Sequence, residues 1–473
     1  MINPERKLPE SWQWVSFGDI AKVESDLVQP TEYPDLPHIA PNHIERGTGR
    51  LLSYTTVAAD GVTSAKNRFR LGQILYSKIR PNLAKVVEAP EHGLCSADMY
   101  PVGTSLVVRY LLYWMLTPEF TQYATHVQGR TVLPKINRGQ LEALPVPVAP
   151  EPEQKRIVAA IEEQIPRIDA GMAALLRVRR NLKQMRAAVL EVAATGRLTD
   201  HSDEDVDAIL RKISDDRRET WSAATQRPYR EPAAPAAFEI SVPSHWRISS
   251  LEAITDPLRV ICYGILMPKE NIKDGVPYVR VKDMKGWTID VEGLNRTSLE
   301  IAAKYARSSL QPGDLLIAIR GSYGRVAIVP PELCGANITQ DSARIASHPD
   351  IDHRYLLYYL GGTVAQEYYT RVARGVAVKG VNIGDLKTMP VPIPPLLEQF
   401  AIANEVERHF TLLDNAASAT EQNIHHATAL RSAVLTAAFS GTLVPQDPSD
   451  EPASILLERI APAQASTKGH RTT

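Results

Sequence analysis

Residues 141–157 (LEALPVPVAPEPEQKRI) and 386–402 (LKTMPVPIPPLLEQFAI) agree at 8 of 17 positions, 245 residues apart. Residues 186–198 (RAAVLEVAATGRL) and 431–443 (RSAVLTAAFSGTL) agree at 7 of 13 with the same offset. Upstream the echo is weaker but keeps its order. Leu8-Pro9-Glu10-Ser11-Trp12 answers Val242-Pro243-Ser244-His245-Trp246, Leu36-Pro37-His38-Ile39 answers Val276-Pro277-Tyr278-Val279, and Gly72-Gln73-Ile74-Leu75 answers Gly313-Asp314-Leu315-Leu316. Tyr110-Leu111-Leu112-Tyr113-Trp114 answers Tyr355-Leu356-Leu357-Tyr358-Tyr359, and Ala208-Ile209-Leu210 through Ile213 echoes Ile455-Leu456-Leu457 through Ile460. A chain repeated in this order is a tandem duplication. It folds as two related halves, where 473 residues alone suggest about three unrelated domains.

Each half opens with a variable part whose short apolar runs are bounded by Gly and Pro. Gln73 to Tyr76, Ala84 to Val87, Leu315 to Ile319 and Val326 to Val329 read as strands, with a helix around 108–124 and 353–370. The Pro-rich stretches 145–152 and 390–395 cannot continue a helix and are expected to run extended over the surface.

After Glu153 and Glu398 the period changes. Ile161, Ile165, Ile168, Met172, Leu175, Val178, Leu182, Met185, Val189 and Val192 recur every three or four residues. Ile402, Val406, Phe410, Leu413, Ala417, Ile424, Ala427, Leu430, Val434 and Ala437 do the same in the second copy. This is a narrow apolar seam, as in coiled coils. Gly196 and Gly441 stand where a helix C-cap belongs, and Pro166 is expected to kink or interrupt the first helix. Residues 153–196 would make a rod of roughly 65 Å. One long helix cannot bury its own seam, and its natural partner is the equivalent helix. The expectation is an antiparallel pair with a globular head at each end, a dumbbell holding two different heads a fixed distance apart.

Catalytic patterns are missing. Gly47-Thr48-Gly49 starts like a dinucleotide loop but has Leu52 at its sixth position, and there is no P-loop. The Asn/Asp-Pro-Pro-Tyr/Phe motif of amino-methyltransferases is absent, and Pro34-Asp35 and Pro349-Asp350 lack the downstream Glu-x-Lys of a nuclease. His425-His426 reads as part of a solvated face. Cys95, Cys262 and Cys334 form no CxxC pair, so neither a zinc site nor a disulfide framework is expected. There is no apolar signal sequence or membrane-length apolar run, which points to a cytoplasmic protein. The motifs describe a binder, with no catalytic residue and no metal.

Charge decides what it binds. The formal net charge of -1 argues against bulk coating of a polyanion. Counted locally the picture differs: residues 65–140 carry a net of +6 and residues 303–388 a net of +3, leaving -10 elsewhere. Two loops concentrate the cations. Lys78, Arg80 and Lys85 answer Arg320, Ser322, Tyr323 and Arg325. Arg130 and Lys135 answer Arg374 and Lys379. Glycine lets a backbone approach a groove closely, and Arg and Lys supply phosphate or guanine contacts. The plainer reading is a set of hairpin turns with solvated charges. These eleven residues are the candidate DNA contacts.

The Leu/Val-Pro-x-x-Trp start, the Pro-x-Pro stretch ending in Glu153-Gln154 or Glu398-Gln399, the long helix and the Ala-x-x-Gly-x-Leu end together resemble the specificity subunits of type I restriction-modification enzymes, from Leu8 to about Ile460. The resemblance implies a mixed α+β fold in which a target-recognition domain and a long helix occur twice. The bounds are 1–150 for the first recognition domain, 151–199 for the first helix and 200–241 for a linker. The second recognition domain is 242–395, the second helix 396–445 and the tail 446–473. It implies that each head reads one half of a split, asymmetric sequence in double-stranded DNA while the helices set the spacer. Two methyltransferase subunits and the restriction/translocase subunits would be its partners. No cofactor belongs to this chain: S-adenosylmethionine, ATP and Mg would be held by those partners. The rivals are a coiled-coil scaffold with two protein-binding heads, and a fused restriction enzyme, for whose catalytic domain this chain leaves no room.

Overall fold

The computed structural model describes residues 6–126, 134–200, 202, 204–375 and 379–468. Contacts divide the chain into two units. Met1–Arg177 joins Glu421–Thr473 in the first, and Val178–Thr420 makes the second. Each unit thus contains one head, part of the first long helix (Glu151–Ala194) and part of the second (Leu396–Phe439).

In the first head a four-stranded antiparallel sheet runs Ala21–Val23, Met99–Thr104, Ile74–Ser77, Val86–Glu88. Five shorter strands form a second sheet, in which Pro37–Ile39 and Gly93–Cys95 pair in parallel. The second head repeats the four-stranded order with Cys262–Tyr263, Ser342–Ile345, Leu315–Ala318 and Val326–Ile328. Its parallel pair is Val276–Val279 with Asn337–Ile338. The expected helices are present but each is broken once, into Val108–Met115 and Pro118–His126, and His353–Gly361 and Thr363–Val372. Pro118 and Gly362 mark the breaks.

The Pro-rich stretches are extended, but they are not on the surface. Pro145–Val148 and Pro390–Ile393 are fully buried strands, antiparallel to Gln13–Ser16 and Arg247–Ser250. Proline lacks an N–H, and its carbonyls find side-chain donors instead. The Tyr110 hydroxyl donates to Pro147 O (2.8 Å) and the Trp114 indole to Pro145 O (3.2 Å). Tyr355 and Tyr359 do the same for Pro392 O (2.8 Å) and Pro390 O (2.6 Å). With its polar groups satisfied, a proline strand can be buried.

The repeated Glu-Gln pair is the clamp between head and helix. Trp12 Nε1 donates to the buried Glu153 (2.9 Å), and Trp246 Nε1 to Glu398 (3.1 Å). The neighbouring amide of Gln154 spans Val107 N–H and Ala149 O, as that of Gln399 spans Asp352 N–H and Pro394 O. Burial holds the Glu153 carboxyl above the usual carboxylate range, against the opposing bonds from Trp12 and Gln446. Trp246→Phe removes one donor from the fully buried Glu398 carboxylate and is expected to cost about 1.5–3 kcal/mol. Chemical denaturation followed by circular dichroism measures this; an unchanged midpoint would contradict the clamp.

In both units the long helices pair antiparallel. Asp169 meets Arg431 (3.7 Å) in the first unit and Asp414 meets Arg186 (3.0 Å) in the second, the same pair with the helices' roles exchanged. Ile157, Ile161 and Ile165 share a core with Val434, Leu435, Ala438 and Phe439, and Leu190 shares one with Ile402, Val406 and Phe410. Not every seam residue is covered: Val178, Met185 and Leu430 are 44, 55 and 54% exposed. Leu430, a seam position by period, faces outward because Arg431, about 100° round the helix, takes the inward place and donates to Thr48 O (2.9 Å).

The first helix continues through Pro166 without interruption, contrary to expectation. A proline costs the ladder one donor, and the buried Ile161 and Ile165 hold that stretch against the core. Gly196 (φ 67°) and Gly441 (φ 73°) end the helices in the left-handed region, as expected. A Cβ there would strike Pro243 and Pro9 at 2.4 and 2.3 Å, so each glycine also seats the proline of a Leu/Val-Pro-x-x-Trp start. The segments 200–241 and 446–473 each carry a helix, Val206–Ala224 and Ala453–Lys468, which pack on the second and first units respectively. Among the described residues, no helix is long and apolar enough to cross a membrane.

Candidate nucleic-acid interface

Each head places its two basic loops side by side. In the first, strand Ile74–Ser77 ends in Lys78, and the chain turns through Arg80 and Ala84, both with positive φ (48° and 43°). Arg80 N–H donates to Pro134 O (2.8 Å) and Ile136 N–H to Lys78 O (2.9 Å), stitching residues 78–80 to 134–136. In the second, Val381 N–H donates to Ile319 O (2.8 Å), and Arg320 bridges Gly380 as Ile79 bridges Lys135. Loops more than fifty residues apart in sequence become one basic edge in each copy.

The individual side chains divide by role. Arg80, Arg320 and Lys379 are exposed and, among the described residues, have no carboxylate partner. Lys78 lies over the Tyr100 ring (5.3 Å), and burial first, then the charge of Lys135, pulls its pKa down. Lys135 reaches Asp98 at 3.4 Å. Lys85 turns inward to Pro41 O (2.5 Å) and holds the loop rather than presenting its charge. Ser322 is exposed, and Tyr323 packs against the head's core. Arg325 Nη1 donates to Val281 O and Met284 O (3.2 Å each). Arg374 stands 3.8 Å from Asp385 with most of its side chain exposed. Arg130 lies outside the described residues.

The loop 320–325 is shaped by two glycines. Gly321 and Gly324 have φ of 68° and 79°, and a Cβ on Gly324 would meet Gln366 and Tyr369 at 2.5 and 2.8 Å. An open depression of 690 Å³ lies here, lined by Val281, Lys282, Arg320, Gly321, Ser322, Arg325 and Asp341. Its floor brings in residues that sequence reasoning missed. Arg320 and Ile319 N–H both donate to Asp341 O (3.3 and 2.8 Å), and Arg320 Nη1 reaches Gln340 Oε1 (3.5 Å). Nothing in period or composition singles out Gln340; only the pairing of distant strands puts it beside Arg320. Chemically the set is suited to base edges: Arg bonds guanine bidentately, Gln bonds adenine, and Lys serves phosphates.

Asp216, His348 and Asp350 bring ligand-type atoms within 4.8 Å of one another. Lys212 Nζ already stands 2.8 Å from Asp350, so this cluster carries its own cation.

Residues 264–424 match the family model described as type I restriction modification DNA specificity domain. The specificity subunit of the type I restriction enzyme EcoDI of Escherichia coli is 43% identical over 192 residues, 41% of this chain and 43% of that protein. That of EcoBI, also from Escherichia coli, is 30% identical over 337 residues, 69% of this chain and 66% of that protein. The chain thus spans under half of the length of the first and just under two thirds of the second. A chain from a solved structure concerned with assembly and conformational transition of the type I R-M system superposes with a TM-score of 0.69 at 18% identity. The match covers 92% of this chain and 99% of that one, and it shows a shared fold.

Proposed function

The chain belongs to the family of type I restriction-modification specificity subunits, and from that premise we propose that it selects the DNA sequence on which a type I complex acts, without catalysing a reaction itself. Each head reads one half of a bipartite, asymmetric target through its joined basic loops. The helix pair sets the spacer and docks two methyltransferase subunits, with restriction/translocase subunits completing the complex. S-adenosylmethionine, ATP and Mg are held by those partners, and the complex works in the cytoplasm.

The observation that carries this reading is the repeated pairing of the two basic loops, Ile79 beside Lys135 and Arg320 beside Gly380. They are bonded through Arg80 N–H to Pro134 O and Ile136 N–H to Lys78 O in the first head, and Val381 N–H to Ile319 O in the second. Solvated turns have no need to converge, and here they converge in both copies. The heads differ in their exposed residues, so the half-sites differ.

The test is salt-dependent binding of duplex DNA by the full-length chain assembled with its methyltransferase subunits. Log affinity is expected to fall linearly with log salt, with a slope of about -0.9 per phosphate contacted. Binding of no duplex at any salt would favour the scaffold.

A further inference from the structure

The hairpin formed by Met284–Lys285 and Thr288–Ile289 turns on Gly286 and Trp287, both with positive φ (55° and 78°). Glycine adopts that conformation freely, but a bulky aromatic residue rarely does. Such a residue persists where its surroundings over-determine it. The Trp287 ring is partly buried and held by three neighbours. It meets Tyr358 (5.7 Å between centroids) and Phe410 (6.0 Å), which also meet each other (5.8 Å). Its far edge rests on Gly361, where a Cβ would stand 2.2 Å from the indole. Trp287 O accepts the Ile328 N–H (3.0 Å).

Phe410 belongs to the second long helix, and the Arg186 guanidinium of the first covers its ring at 4.3 Å while bonding Asp414. On its other side the hairpin offers Met284 O, together with Val281 O just before it, to Arg325. A few residues therefore touch both the arginine that closes the basic loop and the pair of long helices.

We propose that Trp287 is a positioning residue for DNA reading: seated in the Tyr358–Gly361–Phe410 slot, it sets the loop carrying Arg320 and Arg325 at a fixed place relative to the long helices of its unit. This rests on the function proposed above and goes beyond it, because it assigns specificity to a residue that need not touch DNA.

The full-length chain, assembled with its methyltransferase subunits, is challenged with a pool of duplexes containing a randomised stretch, and the bound fraction is sequenced. Wild type returns two half-motifs. Arg320→Glu identifies the one read by the second head. Trp287→Ala is expected to weaken discrimination within that half-motif about tenfold, the scale of one misread base, and to leave the other intact. Trp287→Phe, which keeps a ring in the slot, retains it. If Trp287 acts through Arg325, the double variant Trp287→Ala/Arg325→Ala loses no more than Arg325→Ala alone. Loss of both half-motifs alike, an unchanged second half-motif, or additive losses in the double variant would each overturn the proposal. Failure of wild type to enrich any motif would count against DNA recognition itself, a distinct outcome.

Discussion

With Arg320 and Arg325 both changed to Glu, the assembled complex binds duplex DNA about a hundredfold more weakly, yet still assembles. Each arginine in direct contact with a base or phosphate is worth about 1–3 kcal/mol, and a carboxylate in its place repels the backbone. The salt slope should flatten by about 2 if both arginines meet phosphates. Arg320 stands exposed at the rim of the depression, while Arg325 also ties the loop to Val281 and Met284. Single variants therefore separate contact from positioning. Filter binding across a salt series reads affinity and slope together, and wild-type affinity in the double variant would remove the second head's loop from the interface.

The other large effect is expected inside the first unit. Val434 is 6% exposed and sits in one core with Leu435, Ala438, Phe439 and the head. Val434→Asp buries an unpaired carboxylate there and should cost about 3–5 kcal/mol, a large part of the stability of an ordinary domain. Leu430→Asp, four residues earlier on the same helix, changes a side chain that is 54% exposed and should stay within about 0.5 kcal/mol. Thermal unfolding of the two variants side by side decides the matter. Equal destabilisation would mean that Leu430 belongs to the packed seam after all.

That pair of residues marks how far period alone can be read. Heptad-like spacing identified both long helices, because an apolar stripe sustained over many turns has few ways to be buried. The duplication into two equivalent halves supplied their antiparallel pairing. Spacing put Leu430 in the stripe because it does not know that Arg431 will find Asp169 and Thr48 O. The Pro-rich stretches were legible as extended, since proline forbids helix. Their burial was not, because it depends on hydroxyl and indole donors thirty or more residues upstream, at Tyr110, Trp114, Tyr355 and Tyr359. The Glu-Gln pair stood out as a repeated landmark, while its role as a buried clamp needed Trp12 and Trp246 brought to it by the fold. The basic loops were visible as local charge. Their joining, and the arrival of Gln340 beside Arg320, arise from strand pairings that no local pattern encodes.

The composition of the first unit has a consequence for synthesis. The second unit is one continuous stretch, Val178–Thr420, whereas the first needs residues from Glu421 onward, including Val434, Phe439, Ala453 and Leu456. At about 5–20 residues per second, a ribosome takes roughly 12–50 s to make the intervening segment. During that time the first head has emerged with its surface for Phe439 uncovered, and Tyr110 and Trp114, which that ring contacts at 5.0 and 5.3 Å in the folded chain, still lack that cover. The half translated first is therefore completed last.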